Sequence, residues 1–553
     1  MKAILKTKIE EVVKSLNIED CTFTIEHPTD ISHGEWTTNI AMIAGNKGGK
    51  NPKEVAEEIV SGLGDIDGVE SVDIAGPGFI NFKLTHKAII DSLDIEGSGL
   101  CKGKKVLVEY TNPNPFKQFH IGHLMSNAVG QVISNLYESQ GADVKRLSYG
   151  GDFGLHVAKA IWGMKDTKKQ SISKNLSNEV DKIEQWGNAY SHGAAMYEED
   201  ESIKEEIDNL NKIIFDHVVN HENFKFDELY KEGKEVSQKH FEDIYEILGT
   251  RFDKYYFESD VVERGQKIVK ENNIFEESDG AIIFKGEDHG LHTRVFINSK
   301  GIPLYETKEL GLSYKKAEDF EYDESIVVTA SEQSEYFKVV NKALEMIDKN
   351  LADKTTHVTH GMMRFTDGKM SSRKGNIITG ESLLLDLIEE VNKKMEGREV
   401  KNKEKASQQI AVAALKYSIL RQAPGKNIIF NPEEALSLEG DSGPYVQYAY
   451  TRAKRLIEKS KSSPFFDESI MITDIEKILM KFNTILDRSY IDLAPQYIVT
   501  YLLTLSHSFN GFYQSTQIIG GENEGHNIAI VEKVTKVIEK GLSVLGIDVP
   551  EEM

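Results

Sequence analysis

The sequence is poor in the features that mark disulfide-rich, membrane-spanning and disordered proteins. It has only two cysteines, Cys21 and Cys101, in 553 residues, so neither a disulfide framework nor a cysteine-based zinc site is expected. It contains no run of about 18 apolar residues, which argues against a transmembrane helix. Its hydrophobic content of 39% and its 12 prolines are ordinary for a globular protein. We therefore expect a folded cytoplasmic protein without a bound metal.

Basic residues are also in deficit, because 66 Lys and Arg stand against 89 Asp and Glu, giving a formal charge of −23. Proteins that bind nucleic acid usually carry a basic footprint. That rule concerns the contact face, and a large acidic protein can still carry a local basic stripe. The charge balance thus disfavours non-specific nucleic-acid binding without excluding a specific RNA partner.

Two common phosphate-binding motifs, the GxGxxG fingerprint and the Walker A loop, are missing as well. The chain has instead a distinctive stretch at 106–123, VLVEYTNPNPFKQFHIGH. Its apolar, β-branched start at 106–108 predicts a buried strand, and apolar residues three or four apart from Ile121 onward predict a helix that stops near Gly141. A second strand is predicted at 144–149. His120 and His123 therefore lie at the mouth of a helix in a strand–loop–helix–strand unit.

These two histidines suit phosphate chemistry. A helix N-terminus offers unsatisfied backbone N–H groups and the positive end of the helix dipole. Two imidazoles there can donate hydrogen bonds to phosphate oxygens, and Gly122 leaves room for a flat ring or a ribose to approach the backbone. A second loop around Lys369 supplies mobile ammonium and hydroxyl donors. Neither loop offers a nucleophile with a paired base, so the chemistry expected is stabilisation of charge at a phosphorus under attack.

Strand-like runs that alternate with long helices predict an α/β fold with a doubly wound parallel sheet of Rossmann type. Ligands of such sheets bind beyond the carboxyl ends of the strands, where both polar loops would fall. We predict a small N-terminal α/β domain and a C-terminal all-α bundle beside this catalytic domain. The predicted boundaries are 1–95 for the N-terminal domain, 96–385 for the catalytic domain with a helical insertion at about 165–290, 386–430 for a helical linker, and 431–553 for the bundle.

Each motif alone is weak, but their order and spacing together indicate a family. His120-Ile121-Gly122-His123 and Lys369-Met370-Ser371-Ser372-Arg373 resemble the HIGH and KMSKS signatures of class I aminoacyl-tRNA synthetases. The stretches VEYTNPNPFKQFHIGH, SYGGDFGLHVAK, PLYETKELG and GLSVLGIDVPEEM further resemble arginyl-tRNA synthetases. TTNIAMIAGNKGGKNPKEVAEEIV resembles the small domain that precedes their catalytic core, and 445–453 resembles the start of their anticodon-binding domain. The Ser372-Arg373 ending departs from KMSKS, and Lys117 occupies a position that shares its role in some members.

The resemblance implies ATP-dependent attachment of L-arginine to tRNA(Arg) through an arginyl-adenylate, with Mg²⁺ entering as Mg·ATP, in a cytoplasmic monomer with no membrane partner. It also implies that the N-terminal domain contacts tRNA. The implied catalytic residues are His120, His123, Lys369 and Lys117. The implied ATP contacts are His120, Gly122, His123, Met362, Lys369, Met370, Ser371 and Ser372. The implied arginine contacts are Glu109, Asn114, Tyr305, Glu309 and Gln333, and the implied tRNA contacts are Tyr445, Tyr448 and Arg452.

Two of these assignments have independent physical support. A guanidinium is best held by planar carboxylates, and Glu109 ends the first predicted strand while Glu309 lies beyond another. The basic runs 393–426 and 452–461 can contact a phosphate backbone, and the tyrosines at 445, 448 and 450 can stack on unpaired bases.

Three alternatives stay open from the sequence. The first is a class I synthetase for glutamate, glutamine or cysteine, although two carboxylates favour a cationic substrate and no Cys/His set supports a zinc-using enzyme. The second is a synthetase-like RNA-binding protein without catalysis, against which the intact His120, His123 and Lys369 argue. The third is a small-molecule adenylyltransferase, which would not need a helical domain of this size.

Overall fold

The computed structural model of the chain describes residues 1–16, 18, 21–93, 95–169, 179–366, 378–397 and 399–553. The chain divides into two compact units. Unit 1 comprises Met1–Ser98, Val446–Arg488 and Thr500–Gly541, and unit 2 comprises Gly99–Tyr445, Ser489–Val499 and Leu542–Met553. Of the predicted site residues, Lys369, Met370, Ser371 and Ser372 lie outside the described residues.

The N-terminal part of unit 1 is a small α/β fold, as predicted. Its antiparallel sheet has the strand order β1-β2-β4-β3. The helix at 52–63 begins where the Asn51 side chain accepts a hydrogen bond from the Lys53 N–H and Pro52 occupies the first turn, a combination that favours helix initiation. The elements are α1 (Lys2–Ser15), β1 (Ile25–Glu26), β2 (Trp36–Thr38), α2 (Ile40–Gly48), α3 (Pro52–Leu63), β3 (Val69–Ala75), β4 (Phe79–Leu84) and α4 (His86–Asp91).

Unit 2 is built on a parallel sheet, which confirms the predicted doubly wound catalytic fold. Within the described residues its strands follow the order β12 (Thr355–His360), β11 (Glu324–Ala330), β5 (Lys105–Glu109), β6 (Asp143–Gly150) and β7 (Lys254–Phe257), and every neighbouring pair is parallel. The first elements are β5 (Lys105–Glu109), α5 (Ile121–Ser139), β6 (Asp143–Gly150), α6 (Leu155–Lys169), α7 (Glu179–Glu199), α8 (Glu201–Asn220), α9 (Asp227–Ile247), β7 (Lys254–Phe257) and α10 (Glu258–Glu271).

The second half of unit 2 completes the sheet and adds helices that pack on α5. The next elements are β8 (Glu276–Ser278), β9 (Ala281–Phe284), β10 (Arg294–Ile297), α11 (Tyr305–Asp319), β11 (Glu324–Ala330), α12 (Ser334–Ile347), α13 (Lys349–Asp353) and β12 (Thr355–His360). They are followed by β13 (Met363–Phe365), α14 (Gly380–Lys394), α15 (Lys403–Leu420), β14 (Ile428–Phe430) and α16 (Pro432–Ala435). Since α14 and α15 pack on each other and on α5, the interval 386–430 is part of the folded body rather than a simple linker.

The interval 165–290, predicted as a helical insertion, is only partly helical. α7, α8 and α9 fill its first part, but β7 within it joins the edge of the central sheet. β8 and β9, at its end, pair with β10 in a separate antiparallel sheet. The sequence of β7, KYYF, is too short to show the alternation of a strand, and it lies between charged helical segments. The strand was therefore not predicted.

The C-terminal region is helical, as predicted, and its elements are α17 (Gly443–Lys459), α18 (Asp474–Leu479), α19 (Phe482–Ile491), α20 (Gln496–Ser515) and α21 (Glu524–Val544). In unit 1 these helices pack directly on the N-terminal fold. His86 at the start of α4 lies 2.8 Å from the buried Glu476 carboxylate of α18, and His27 lies 3.2 Å from the Thr484 hydroxyl. In the part of the chain described here, no helix is both long and apolar enough to cross a membrane.

Candidate active site

The loop between β5 and α5 places the two histidines. Thr111, Asn112 and Phe116 have positive φ angles of 71°, 52° and 65°, which cost conformational energy unless neighbours hold them. The Thr111 N–H donates to the Ser126 hydroxyl at 2.9 Å, and the Phe116 N–H donates to the Ser237 hydroxyl at 2.9 Å. The loop is therefore fixed at both ends, and α5 begins at a defined position.

The two imidazoles form one stacked pair at the start of α5. Their ring centroids lie 3.5 Å apart with an interplanar angle of 22°. The His120 N–H donates to Nδ1 of His123 at 3.1 Å, so Nδ1 is an acceptor and the proton of the neutral His123 ring sits on Nε2. Burial lowers the pKa of His123 well below 6.5 and also lowers the pKa of His120. Both rings are therefore neutral near pH 7, and Nε2–H of His123 is a hydrogen-bond donor.

Gly122 makes room for His120. A Cβ at this position would lie 2.9 Å from Cε1 and 3.0 Å from Nδ1 of the His120 ring, closer than such contacts normally occur. Sequence reasoning assigned that space to a ring or ribose of a ligand. The structure fills it with the imidazole itself, so the glycine sets the orientation of His120.

Lys117, whose charge helps to lower the pKa of both histidines, lines a separate cavity. The cavity, about 380 Å³, is also lined by Lys159, Lys308 and His156, none of which the sequence reasoning selected. The Lys117 ammonium is 5.7 Å from the ring centroid of Tyr190. Burial and the nearby Lys159 lower the pKa of Lys117. A cavity lined by lysines suits phosphate groups.

A second cavity of about 420 Å³ collects most of the predicted arginine contacts. Asn114, Tyr305, Glu309 and Gln333 all line it. Glu309 belongs to the second turn of α11, and Gln333 follows β11. The Gly151 N–H donates to Oδ1 of Asn114 at 2.7 Å. Residues distant in sequence thus meet beyond the carboxyl ends of the strands, as the sheet topology predicts.

Glu109, the fifth predicted contact, is not among the residues that line this cavity. Its side chain is 1% exposed and forms an ion pair with Lys316 of α11. The Asn112 side chain donates to its Oε1 at 2.9 Å. We expected Glu109 to point into the site, but it does not line this cavity: Asn112 holds its Oε1, and its Oε2, beside the Lys316 ammonium, is buried without a hydrogen-bond partner among the described residues.

The other buried carboxylates near Glu309 each have a cation of their own. Glu258 pairs with Lys308 at 2.5 Å, and Glu306 pairs with Arg294 at 3.5 Å. Within the described part of the chain, Glu309 has no lysine, arginine or histidine nitrogen within 4.0 Å. Burial and the nearby Glu109 charge raise the pKa of Glu309 to about 8. Among the described residues it is the buried carboxyl group of this cavity that lacks a counter-charge; Glu332, which also lines the cavity without an ion pair, is exposed to solvent.

Two tyrosine hydroxyls share the cavity with Glu309 and were missed by sequence reasoning. Tyr149 and Tyr336 line it, and both hydroxyl oxygens are buried without a hydrogen-bond partner among the described residues. Burial raises the pKa of both phenols well above 10. Buried polar groups are normally paired, so these oxygens indicate a ligand that donates hydrogen bonds. In the sequence, a tyrosine at a strand end cannot be distinguished from a core aromatic residue.

The predicted tRNA contacts separate into buried and accessible groups. Tyr445 and Tyr450 are buried, at 8% and 5% exposure, so their rings are not available for stacking in this structure. Arg452 lies between the rings of Tyr448 and Tyr513, 4.7 and 4.9 Å from their centroids. In the predicted basic run 393–426, Lys416 is 1% exposed and cannot meet a phosphate backbone.

Met362, predicted to contact ATP, lies between β12 and β13 with 42% of its surface exposed, and its N–H donates to Asn427 at 2.8 Å. Among the described residues, no cluster of three or more His, Cys, Asp or Glu side chains could hold a metal ion.

A parallel sheet whose first strand leads to two stacked imidazoles at a helix mouth, with polar cavities beyond the strand ends, defines the catalytic domain of a class I aminoacyl-tRNA synthetase. Comparison with family models identifies the family within this class. Residues 88–431 match "tRNA synthetases class I (R), catalytic domain", residues 2–84 match "Arginyl tRNA synthetase N terminal domain", and residues 446–553 match "DALR anticodon binding domain". The chain belongs to the arginyl-tRNA synthetase family.

Individual relatives agree over the full length. The chain is 29% identical to the arginine--tRNA ligase of Clostridium acetobutylicum, with 100% of both chains covered, and 30% identical to that of Clostridium kluyveri over 88% of each. Its fold is similar to Thermus thermophilus arginyl-tRNA synthetase, with a TM-score of 0.83 at 20% identity over 100% of both chains. The Plasmodium falciparum arginyl-tRNA synthetase gives a TM-score of 0.78 at 18% identity, covering 100% of this chain and 99% of that one.

Proposed function

We propose that this enzyme attaches L-arginine to tRNA(Arg) in two steps that consume ATP. In the first step the arginine carboxylate attacks the α-phosphorus of ATP, forming arginyl-adenylate and releasing diphosphate. In the second step a hydroxyl of the terminal tRNA ribose attacks the arginyl carbonyl, and AMP leaves. The observation that carries the substrate assignment is Glu309, a buried cavity carboxyl group that has no counter-charge among the described residues and lies beside two phenol oxygens without a described hydrogen-bond partner.

The ATP half of the site uses neutral donors and lysines. His123 donates through Nε2 and His120 from the same stacked pair to the oxygens of the phosphate under attack, where charge increases in the transition state. Gly122 keeps the His120 ring in place, and Met362 lies where the adenosine moiety would be bound. Lys117 and Lys369 neutralise the leaving diphosphate, and Met370, Ser371 and Ser372 are further ATP contacts. Mg²⁺ enters bound to the ATP phosphates.

The arginine half of the site is complementary to a guanidinium. Glu309 accepts from two of its N–H groups, and the oxygens of Tyr149, Tyr336 and Tyr305 are further acceptors for its donors. Gln333 lines the same cavity. Since Oδ1 of Asn114 already accepts from Gly151, its amide nitrogen is oriented for the arginine carboxylate. Glu109 contributes its negative charge without lining the cavity.

The tRNA is bound through the C-terminal helices and the N-terminal domain. Arg452, which lies between Tyr448 and Tyr513 and donates a hydrogen bond to Asn510 at 2.6 Å, supplies positive charge to this surface, and the partly exposed ring of Tyr513 suits stacking on an unpaired base. We further propose that the enzyme works as a monomer in the cytoplasm.

ATP–diphosphate exchange with each of the twenty amino acids, with and without tRNA, tests this function. We expect arginine to be the one amino acid of the twenty that supports exchange. Exchange with glutamate, glutamine or cysteine instead would show a different specificity, and a purified, folded protein that supports no exchange with any amino acid would contradict the proposal. Charging of tRNA with labelled arginine then tests the second step.

A further inference from the structure

Helix α11 carries two charged residues on one face, Glu309 and Lys316. They are seven residues apart, which is two helical turns, so their side chains project from the same side. Glu309 lines the arginine cavity. Lys316 is buried farther along the helix, with 5% of its side chain exposed, and forms an ion pair with Glu109.

Glu109 is held from two directions. Lys316 contacts Oε2, and the Asn112 side chain donates to Oε1 at 2.9 Å. Oδ1 of Asn112 in turn accepts from the Tyr149 N–H at 2.9 Å, which ties the group to the end of β6. Glu109 therefore keeps a fixed position close to Glu309, and the only cation within ion-pair distance of it in the described chain is Lys316.

We propose that Lys316 is the counter-charge that allows Glu109 and Glu309 to be ionised together around one guanidinium, and that it is thereby a positioning residue for arginine recognition. The inference rests on the proposed function and extends it. Without arginine, Lys316 balances Glu109, and Glu309 holds a proton. With arginine, two carboxylates balance two cations, and the proton of Glu309 leaves to solvent. Both states are electrically neutral, which a buried site of low dielectric constant requires.

The other groups that face Glu309 do not upset this balance. Burial and the charge of Glu109 raise the pKa of Glu309 to about 8, in agreement with a protonated group in the empty site. The other buried charged or titratable groups are already paired or stay neutral. They are Glu258 with Lys308 from α10 and α11, Glu306 with Arg294 from α11 and β10, and the phenols Tyr149 and Tyr336 from β6 and α12. Glu332 and Tyr305 also line the cavity. Glu332 is exposed, so solvent screens its charge, and desolvation raises the pKa of Tyr305, which keeps that phenol neutral.

Equilibrium dialysis of labelled L-arginine between pH 6 and 8.5, with tRNA present and ATP omitted, measures the effect. For the wild type, affinity should rise with pH and level off near pH 8. In Lys316→Met two carboxylates would share one guanidinium, so affinity should fall at least about tenfold at pH 7.5 and should still be rising at pH 8.5. Lys316→Arg keeps the charge and should restore the wild-type profile. As a control, Lys315→Met removes a partly exposed ion pair with Asp319 on the same helix. It should change neither the arginine affinity at pH 7.5 nor the pH dependence of that affinity.

The double variant Glu109→Gln/Lys316→Met gives the decisive comparison. Glutamine still accepts from Asn112, and removing both charges restores neutrality with and without arginine. We expect the double variant to regain the wild-type pH profile, whereas a purely structural role for Lys316 would leave that profile unmoved in every variant. The assignment would be overturned if the double variant bound arginine no more tightly than Lys316→Met. It would also be overturned if the pH dependence of arginine affinity in folded Lys316→Met matched that of the wild type. If the wild type binds arginine no more tightly than lysine or glutamate, the proposed function is contradicted as well.

Discussion

The ammonium group of Lys416 donates a hydrogen bond to Oε1 of Gln131 at 2.5 Å. Gln131 belongs to α5, the helix that begins after His120 and includes His123, and Lys416 belongs to α15. The same ammonium donates to the carbonyl oxygens of Leu248 and Gly546 at 2.6 and 2.7 Å. One buried lysine thus joins four segments of unit 2, using all three of its N–H donors.

Replacing this lysine should destabilise unit 2. Lys416→Met removes the donor from the carbonyl oxygens of Leu248 and Gly546 and leaves Oε1 of Gln131 with only the Thr250 hydroxyl, at 3.1 Å, as a donor among the described residues, which we expect to cost about 3 kcal/mol of unfolding free energy. Urea unfolding monitored by circular dichroism measures the loss, and Lys405→Met, at an exposed position of the same helix, is the matched control. A Lys416→Met midpoint equal to that of Lys405→Met would show that the three hydrogen bonds add nothing to stability.

The pH dependence of that loss has a definite sign. Burial lowers the pKa of Lys416 from 10.5 to about 7, so the unfolded chain binds more protons than the folded chain between these values, and stability rises with pH there. Methionine has no such dependence. The difference in stability between wild type and Lys416→Met should therefore be larger at pH 9 than at pH 6.5.

His123→Ala should reduce ATP–diphosphate exchange roughly a hundredfold, since one donor to a developing oxyanion is worth ~3 kcal/mol. The amide nitrogen of His123→Gln lies near the position of Nε2 and should recover about tenfold of that loss. Because the pKa of His123 lies well below 6.5, the ring is a neutral donor from pH 6 to 8 and the deficit should be constant there. An unchanged exchange rate in folded His123→Ala would exclude this role.

Glu309→Gln should stabilise the empty enzyme at high pH and at the same time weaken arginine binding. The folded pKa of Glu309, about 8 against an ordinary 4.5, means that the folded protein binds more protons between these values, so stability falls as pH rises through this window. Removing the carboxyl group should raise the unfolding free energy of the empty enzyme at pH 8.5 on the order of 1 kcal/mol while weakening arginine binding by at least tenfold. Urea unfolding and arginine dialysis on the same sample measure both effects. Lower stability at pH 8.5 would contradict the assignment.

The basic residues of α17 and the segment after it should govern tRNA affinity. Arg455, Lys459 and Lys461 are exposed, and reversing their charge should raise KM for tRNA at least tenfold while leaving KM for ATP unchanged. The steepness of the salt dependence of tRNA binding should decrease in parallel. Reversal of the exposed Lys267 and Lys270 on α10 is the control, and an equal effect of that control would point to non-specific electrostatics.

The sequence predicted those parts of the molecule that local patterns determine. The strand–loop–helix of β5 and α5, the helix Pro52–Leu63 and the placement of His120 and His123 follow from apolar spacing and capping residues. The partnership of Glu109 with Lys316 could not be predicted, because it joins residues that are 207 positions apart (316 − 109) and depends on how the loop turns after β5. Tyr149 and Tyr336 were missed for a related reason, since an unpartnered hydroxyl is visible only when the surrounding packing is known.

The composition of unit 1 has a consequence for the order of events during synthesis. His86 contacts Glu476, 390 residues later in the chain. A ribosome that adds about 5–20 residues per second needs on the order of 20–80 s to produce that interval. The first domain to emerge must therefore wait through most of translation before the helices that cover it exist. Nascent chains halted between these two points should be the ones that a ribosome-associated chaperone binds most strongly.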